Sequence, residues 1–173
     1  MKEHRRYTEK FVKVIERISH VTGEATSYLL LITVLATLIE VVARYVFSAP
    51  TVWSYEVEMF TCGVLYVLVG AYNQSKRVHV NVDLAYRLMG PKLQRFLRLA
   101  VHFPLSIIFA GALTYMGAGY AWTSVGMMER SYTSWAPYVW PVKLALPIGA
   151  LLLSLQLVAD FLCDIYNLEV KEK

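Results

Sequence analysis

The chain has 173 residues, 57% of them hydrophobic and 17% charged, with a mean hydropathy of +0.44 and a formal net charge of +4. Soluble domains carry roughly 25% charged residues, so the composition excludes an ordinary soluble domain and points to a small, single-domain integral membrane protein. The excess of positive charge is distributed as membrane topology would have it rather than as a nucleic-acid surface.

The predicted elements begin with residues 1–24, where Tyr7, Phe11, Val14, Ile15 and Ile18 recur at helical spacing opposite basic residues. That pattern predicts an amphipathic helix lying on the cytoplasmic leaflet. The first apolar run, 25–47, is longer than the roughly 7 to 15 residues of a secretory signal and is read as a retained span. Glu40 and Arg44 interrupt it four residues apart, on one face, with the acid first, which is the better order. Counted from an entry at Tyr28, Glu40 lies roughly 18 Å in, slightly beyond the midplane. Two roles are open to the pair: a proton or ion relay, and a polar clasp that fixes the helix against a neighbour.

The second run, 57–74, follows the stretch WSYEVEMF. Ser54 is the expected N-cap of a helix starting at Tyr55, with Glu56 and Glu58 in its first turn, where acids complement the helix dipole. Two readings are open: one of these acids turns across the short hairpin loop toward Arg44, or both only complement the dipole and are solvated. After the span comes KRVHVNVD, where His79 and Asp83 stand four apart and read as a hydrogen-bonded cap at the cytoplasmic interface. They are too few ligands for a metal site. Val80, Leu84 and Leu88 then predict a second interfacial stretch.

The third run, 96–122, contains Pro104 and His102. A membrane cytochrome would need paired histidines within spans, and His4, His20 and His79 lie outside them. Ala110, Thr114 and Ala118, with Gly111 and Gly119 beside them, predict a small-residue packing stripe. The fourth run, 138–161, carries Pro141 and Pro147, and 162–173 form a tail. The expected fold is therefore an all-α membrane protein of four transmembrane helices, occupying 25–161, with an N-terminal interfacial helix.

Lysine and arginine crowd the segment before the first span and the loop between the second and third, while Ser48 to Tyr55 has none and Thr123 to Pro137 has only Arg130. The positive-inside rule then makes both termini and the middle loop cytoplasmic, and Trp53, Trp122, Trp135 and Trp140 all fall at the outer interface. Cys62 and Cys163 sit in different spans, too far apart to bridge. No nucleophile and base pair, phosphate loop or catalytic carboxylate pair is present, so an enzyme is not expected. Two further classes compete with a subunit role: a self-sufficient proton-coupled exporter working through Glu40, and an electron-transfer anchor.

Taken together, ARYVF (43–47), WSYEVE, VGAYNQSKR, HVNVD and LPIG (146–149), in this order and spacing, resemble the small membrane subunit, the DctQ type, of tripartite ATP-independent periplasmic (TRAP) transporters. The chain departs from the family pattern at Tyr55, where the first of two acids is usual; Glu56 matches the second and Glu58 is extra. The resemblance implies a multi-pass protein of a bacterial or archaeal inner membrane that anchors a much larger membrane subunit. That partner would carry the substrate and sodium sites, with no cofactor on this chain, and a periplasmic binding protein would deliver an organic acid. It further implies that Glu40, Arg44, Trp53 and Glu56 organise the outer half of the first two helices, and that His79 and Asp83 organise the inner loop.

Overall fold

A computed structural model describes residues 2–76, 90, 93 and 96–166, and among them every regular element is helical. The elements are α1 (Lys2–Tyr45), α2 (Ser54–Ser75), α3 (Phe103–Gly126), entered through a π-helical turn at Arg98–His102, and α4 (Trp140–Tyr166). His79, Asp83 and the second interfacial stretch lie outside the described residues.

The first difference from expectation is at the N-terminus. Residues expected to form a separate surface helix continue without a break into the first span, making one helix of 44 residues, about 66 Å long at roughly 1.5 Å per residue. No proline interrupts 2–45, so nothing ends the helix. Part of the expected lipid-facing stripe is also covered by protein. Val12 and Ile15 are buried in one cluster with Ala159 and Cys163 of α4, flanked by Leu155, whereas Phe11, Val14 and Ile18 remain exposed.

Among the described residues three stretches are long and apolar enough to cross a membrane: Thr8–Tyr45, Leu99–Gly126 and Trp140–Ile165. Four helices are therefore present where four spans were expected, but only three of them have membrane-spanning hydropathy, and α2 is not among these. α2 has 22 residues, but Glu56 and Glu58 near one end and Asn73 and Gln74 near the other dilute its apolar middle. The loops after α1 and α3 bring all four tryptophans to one end of the molecule, here called the tryptophan end. The opposite, basic end is where α2 reaches Lys76.

What the helices bury explains how they pack. Val12, Ser19, Thr26 and Thr33 are buried at intervals of seven along α1, and Glu40 is next in the series. On α3 the buried series is Phe103, Ala110, Gly117 and Ser124, again seven apart. A seven-residue repeat keeps one seam facing its partner with left-handed supercoiling, and small or hydroxyl residues in that seam let membrane helices approach closely. The stripe expected on α3 is only partly buried within this chain. Ala110 is buried, but Ala118, Gly111 and Gly119 are exposed, because steps of four drift around the helix away from a seam that repeats every seven.

α4 lies between α2 and α3, while α1 packs along α2 and also reaches α4. Two glycines make the closest approaches possible. A Cβ on Gly149 would stand 2.7 Å from the Val67 carbonyl oxygen, and one on Gly23 would run into the Tyr72 ring. The prolines fall where helices tolerate them or bend: Pro104 opens α3, where a missing N–H needs no partner, and Pro147 lies inside α4. Neither cysteine is in a disulfide among the described residues.

Candidate functional site

At the tryptophan end the turn between α1 and α2 is built around Glu40. Its Oε1 accepts from Arg44 Nε at 2.8 Å and also from the terminal guanidinium nitrogen Nη2. Its Oε2 accepts from the Thr51 backbone N–H at 2.9 Å, from the Thr51 hydroxyl, and from the Ser54 hydroxyl at 3.0 Å. The Glu40 side chain is 16% exposed and that of Arg44 57%, so the acid is the enclosed hub and the arginine its outer partner. These bonds tie Glu40, five residues before the end of α1, to the turn that follows and to the first residue of α2.

Ser54 is the first residue of α2, and its hydroxyl is bonded to Glu40 instead of capping the helix. The N-cap position falls to Trp53, which makes no side-chain cap and is half-buried. Neither acid of the first turn reaches Arg44. Glu56, only 2% exposed, points the other way: its Oε1 accepts from the Thr133 hydroxyl at 2.5 Å, and its Oε2 is buried with no partner.

Thr133 belongs to the α3–α4 connection, 127–139, a compact strap. Its base is closed by Val139 N–H to the Glu129 carbonyl and Ser131 N–H to the Pro137 carbonyl, both 2.9 Å. Arg130 lies over the Tyr138 ring at 4.1 Å and donates to its hydroxyl at 2.6 Å. Lys143, on the first turn of α4, stands 2.5 Å from Glu129 Oε2 and 4.2 Å over the Tyr120 ring, while Ser124 donates to the same Glu129 oxygen at 2.6 Å. The Lys143 ammonium, then the Ser124 hydroxyl, hold the Glu129 carboxyl below the usual carboxylate range.

A second polar group joins three helices toward the basic end. Ser19 Oγ donates to Gln156 Oε1 at 2.8 Å, Gln156 Nε2 donates to Asp160 Oδ1 at 3.1 Å, and Gln74 Nε2 donates to Asp160 Oδ2 at 2.7 Å. Gln156 is wholly buried. Between the two polar ends, Thr33 and Thr61 meet hydroxyl to hydroxyl at 2.6 Å across α1 and α2.

Of the residues singled out from sequence, the structure brings Glu40 and Arg44 together, sets Trp53 at the start of α2 and separates Glu56 from them. Lys143 went unnoticed inside an apolar run; the signal was a lysine three residues after Trp140, with Glu129 in the preceding loop. The Ser19, Gln74, Gln156 and Asp160 group had a fainter signal, amide and acid side chains near the same end of two spans. His102 packs edge-on against Phe103, and among the described residues no group of three or more His, Cys, Asp or Glu is placed to hold a metal ion. A family model described as tripartite ATP-independent periplasmic transporters, DctQ component, matches residues 33–167, which takes in the Glu40 hub, the strap and Asp160. No curated protein matches the chain.

Proposed function

The chain belongs to the DctQ component family of the tripartite ATP-independent periplasmic transporters, a transporter-component family rather than an enzyme class, and as its small permease subunit we propose that it is the fixed anchor of the complex. In this reading all four helices cross the inner membrane, with the basic end cytoplasmic and the tryptophan end facing the periplasm. A large multi-span subunit carries the substrate and sodium sites, and a soluble binding protein delivers an organic acid to it.

The observation that carries the reading is one-sided packing. α1 and α3 each bury one narrow seam and expose broad apolar faces, including Leu31, Leu35 and Leu38 on the first and Leu105, Phe109 and Met116 on the second. Faces of that extent are covered by lipid or by partner helices. The crossing of α2 is supported by its ends: Glu56 and Gln74 stand about 27 Å apart at roughly 1.5 Å per residue, close to the hydrocarbon thickness of about 30 Å.

Glu40, held by an arginine, two hydroxyls and a backbone N–H, supports a clasp rather than a proton carrier, because a carrier must release its donors each cycle. In this reading Glu40 and Arg44 organise the periplasmic end of α1 and α2 beside Trp53, while Glu56 ties α2 to the α3–α4 connection; the role expected of His79 and Asp83 lies outside the described residues. The test is uptake by proteoliposomes containing the large subunit and the binding protein, with and without this chain. Uptake that requires the chain supports the reading. Undiminished uptake in its absence, or transport by this chain alone, overturns it.

A further inference from the structure

Four carboxylates stand at the tryptophan end, Glu40, Glu56, Glu58 and Glu129, and among the described residues two of them face a cation. Glu40 meets Arg44 and Glu129 meets Lys143. Among the described residues Glu56 meets only the Thr133 hydroxyl, and its second oxygen is buried with no partner. A carboxylate in that position is costly to keep until another donor or a cation reaches it.

What covers Glu56 is the tip of the strap. The strap's two sharp returns are at Met128, with φ of 46°, and Ala136, with φ of 47°; both are non-glycine residues in the sparsely populated left-handed region. Beside Thr133, Tyr132 is wholly exposed, and Trp135 is 45% exposed. The base of the strap is held by the Glu129–Lys143 pair and two backbone hydrogen bonds, whereas among the described residues the tip makes one hydrogen bond to α2, through the Thr133 hydroxyl. The tip is the weakly held part, and it lies over the unpaired acid.

We propose that the strap tip, 131–137, lifts from Glu56 when the soluble partner docks at the tryptophan end, and that the uncovered carboxylate then takes a lysine or arginine side chain of that partner. The proposal rests on the subunit reading above, in which this end faces the binding protein. The chemistry selects the occupant: an ionised carboxylate only accepts, and its strongest partners are ammonium and guanidinium donors. The resting structure thus keeps the docking charge covered, and the partner exchanges a hydroxyl contact for an ion pair.

Two measurements on the assembled membrane complex test this. Carbodiimide coupling of an amine, mapped by mass spectrometry, reads the opening: Glu56 should label slowly in the wild type and severalfold faster in Thr133→Val, with half-buried Glu58 as internal reference. Failure of Glu56 to label in both while Glu58 labels overturns the lifting tip. Affinity for the binding protein at low salt reads the ion pair: Glu56→Gln, which keeps an acceptor for Thr133, should weaken docking about tenfold or more and flatten its salt dependence, while Thr133→Val should not weaken it. Equal affinity of Glu56→Gln and wild type overturns the cationic contact alone. Absence of docking to the wild-type complex overturns the subunit reading as well.

Discussion

At the residue scale, Glu40 and Arg44 show how far local spacing reaches. Their pairing follows from being four apart on one helix, but the rest of the Glu40 shell, Thr51 and Ser54, comes from the next loop and helix. The asymmetry between the two residues makes a prediction. Replacing Glu40 by alanine leaves an arginine, two hydroxyls and a backbone N–H without their acceptor, whereas replacing Arg44 leaves Glu40 still bound by three donors. Thermal unfolding in detergent should therefore show Glu40→Ala melting well below Arg44→Ala, with complex yield following the same order. The reverse order would mean that Arg44 has a weightier partner outside this chain. Glu56 was not legible in this way, because Thr133 is far away in sequence and nothing in WSYEVE distinguishes an acid facing solvent from one facing a later loop.

At the scale of elements, the helices themselves were legible and their seams were not. Apolar runs mark four helices because a bilayer demands length, but they do not say which face packs. The seams on α1 and α3 begin at Val12 and Phe103 and then repeat every seven residues in Ser, Thr, Ala and Gly, types that a search for apolar periodicity passes over. The continuity of α1 was missed because composition changes near residue 25 while backbone propensity does not. Two predictions belong here. Gly149→Ala sets a Cβ against Val67 and should destabilise the chain by about 1–3 kcal/mol, the usual overpacking cost; Gly111→Ala, where a Cβ meets nothing, should leave the melting of the isolated chain unchanged. A melting curve of each variant decides, and a harmless Gly149→Ala would contradict the close α2–α4 approach.

The strap offers a pH prediction at the same scale. Glu129 has its carboxyl held below its ordinary value of 4.5 by Lys143 and Ser124. Its contribution is accordingly complete above that value and lost as pH falls below it toward the lowered one. Hydrogen exchange of the 127–139 amides, corrected for intrinsic rates, should report a strap that loosens below about pH 4.5. In Lys143→Met the strap should be looser at neutral pH and much less sensitive to acid. A strap indifferent to both changes would show that this pair does not anchor it.

At the scale of the whole molecule, the chain is a set of helices clasped at both ends. Glu40 closes one end of the α1–α2 pair, and the Ser19, Gln156, Asp160 and Gln74 group ties α1, α2 and α4 toward the other. Replacing Gln156 by leucine would remove the link between Ser19 and Asp160, and leaving buried polar groups unsatisfied costs about 1–3 kcal/mol each. Lower thermal stability with retained helicity by circular dichroism is the expected outcome; an unchanged melting temperature would show the group to be dispensable. Family membership was legible from motif order and spacing, since the matched region covers the motifs from ARYVF through LPIG. The arrangement of helices was not, because it depends on seams and glycine contacts between residues distant in sequence.

The most direct measurement of the central claim is a tagged purification of this chain from its native membrane in mild detergent, with quantitative mass spectrometry of what accompanies it. The account predicts a large multi-span membrane protein in near-equal amount. Recovery of this chain alone across several mild detergents would contradict it.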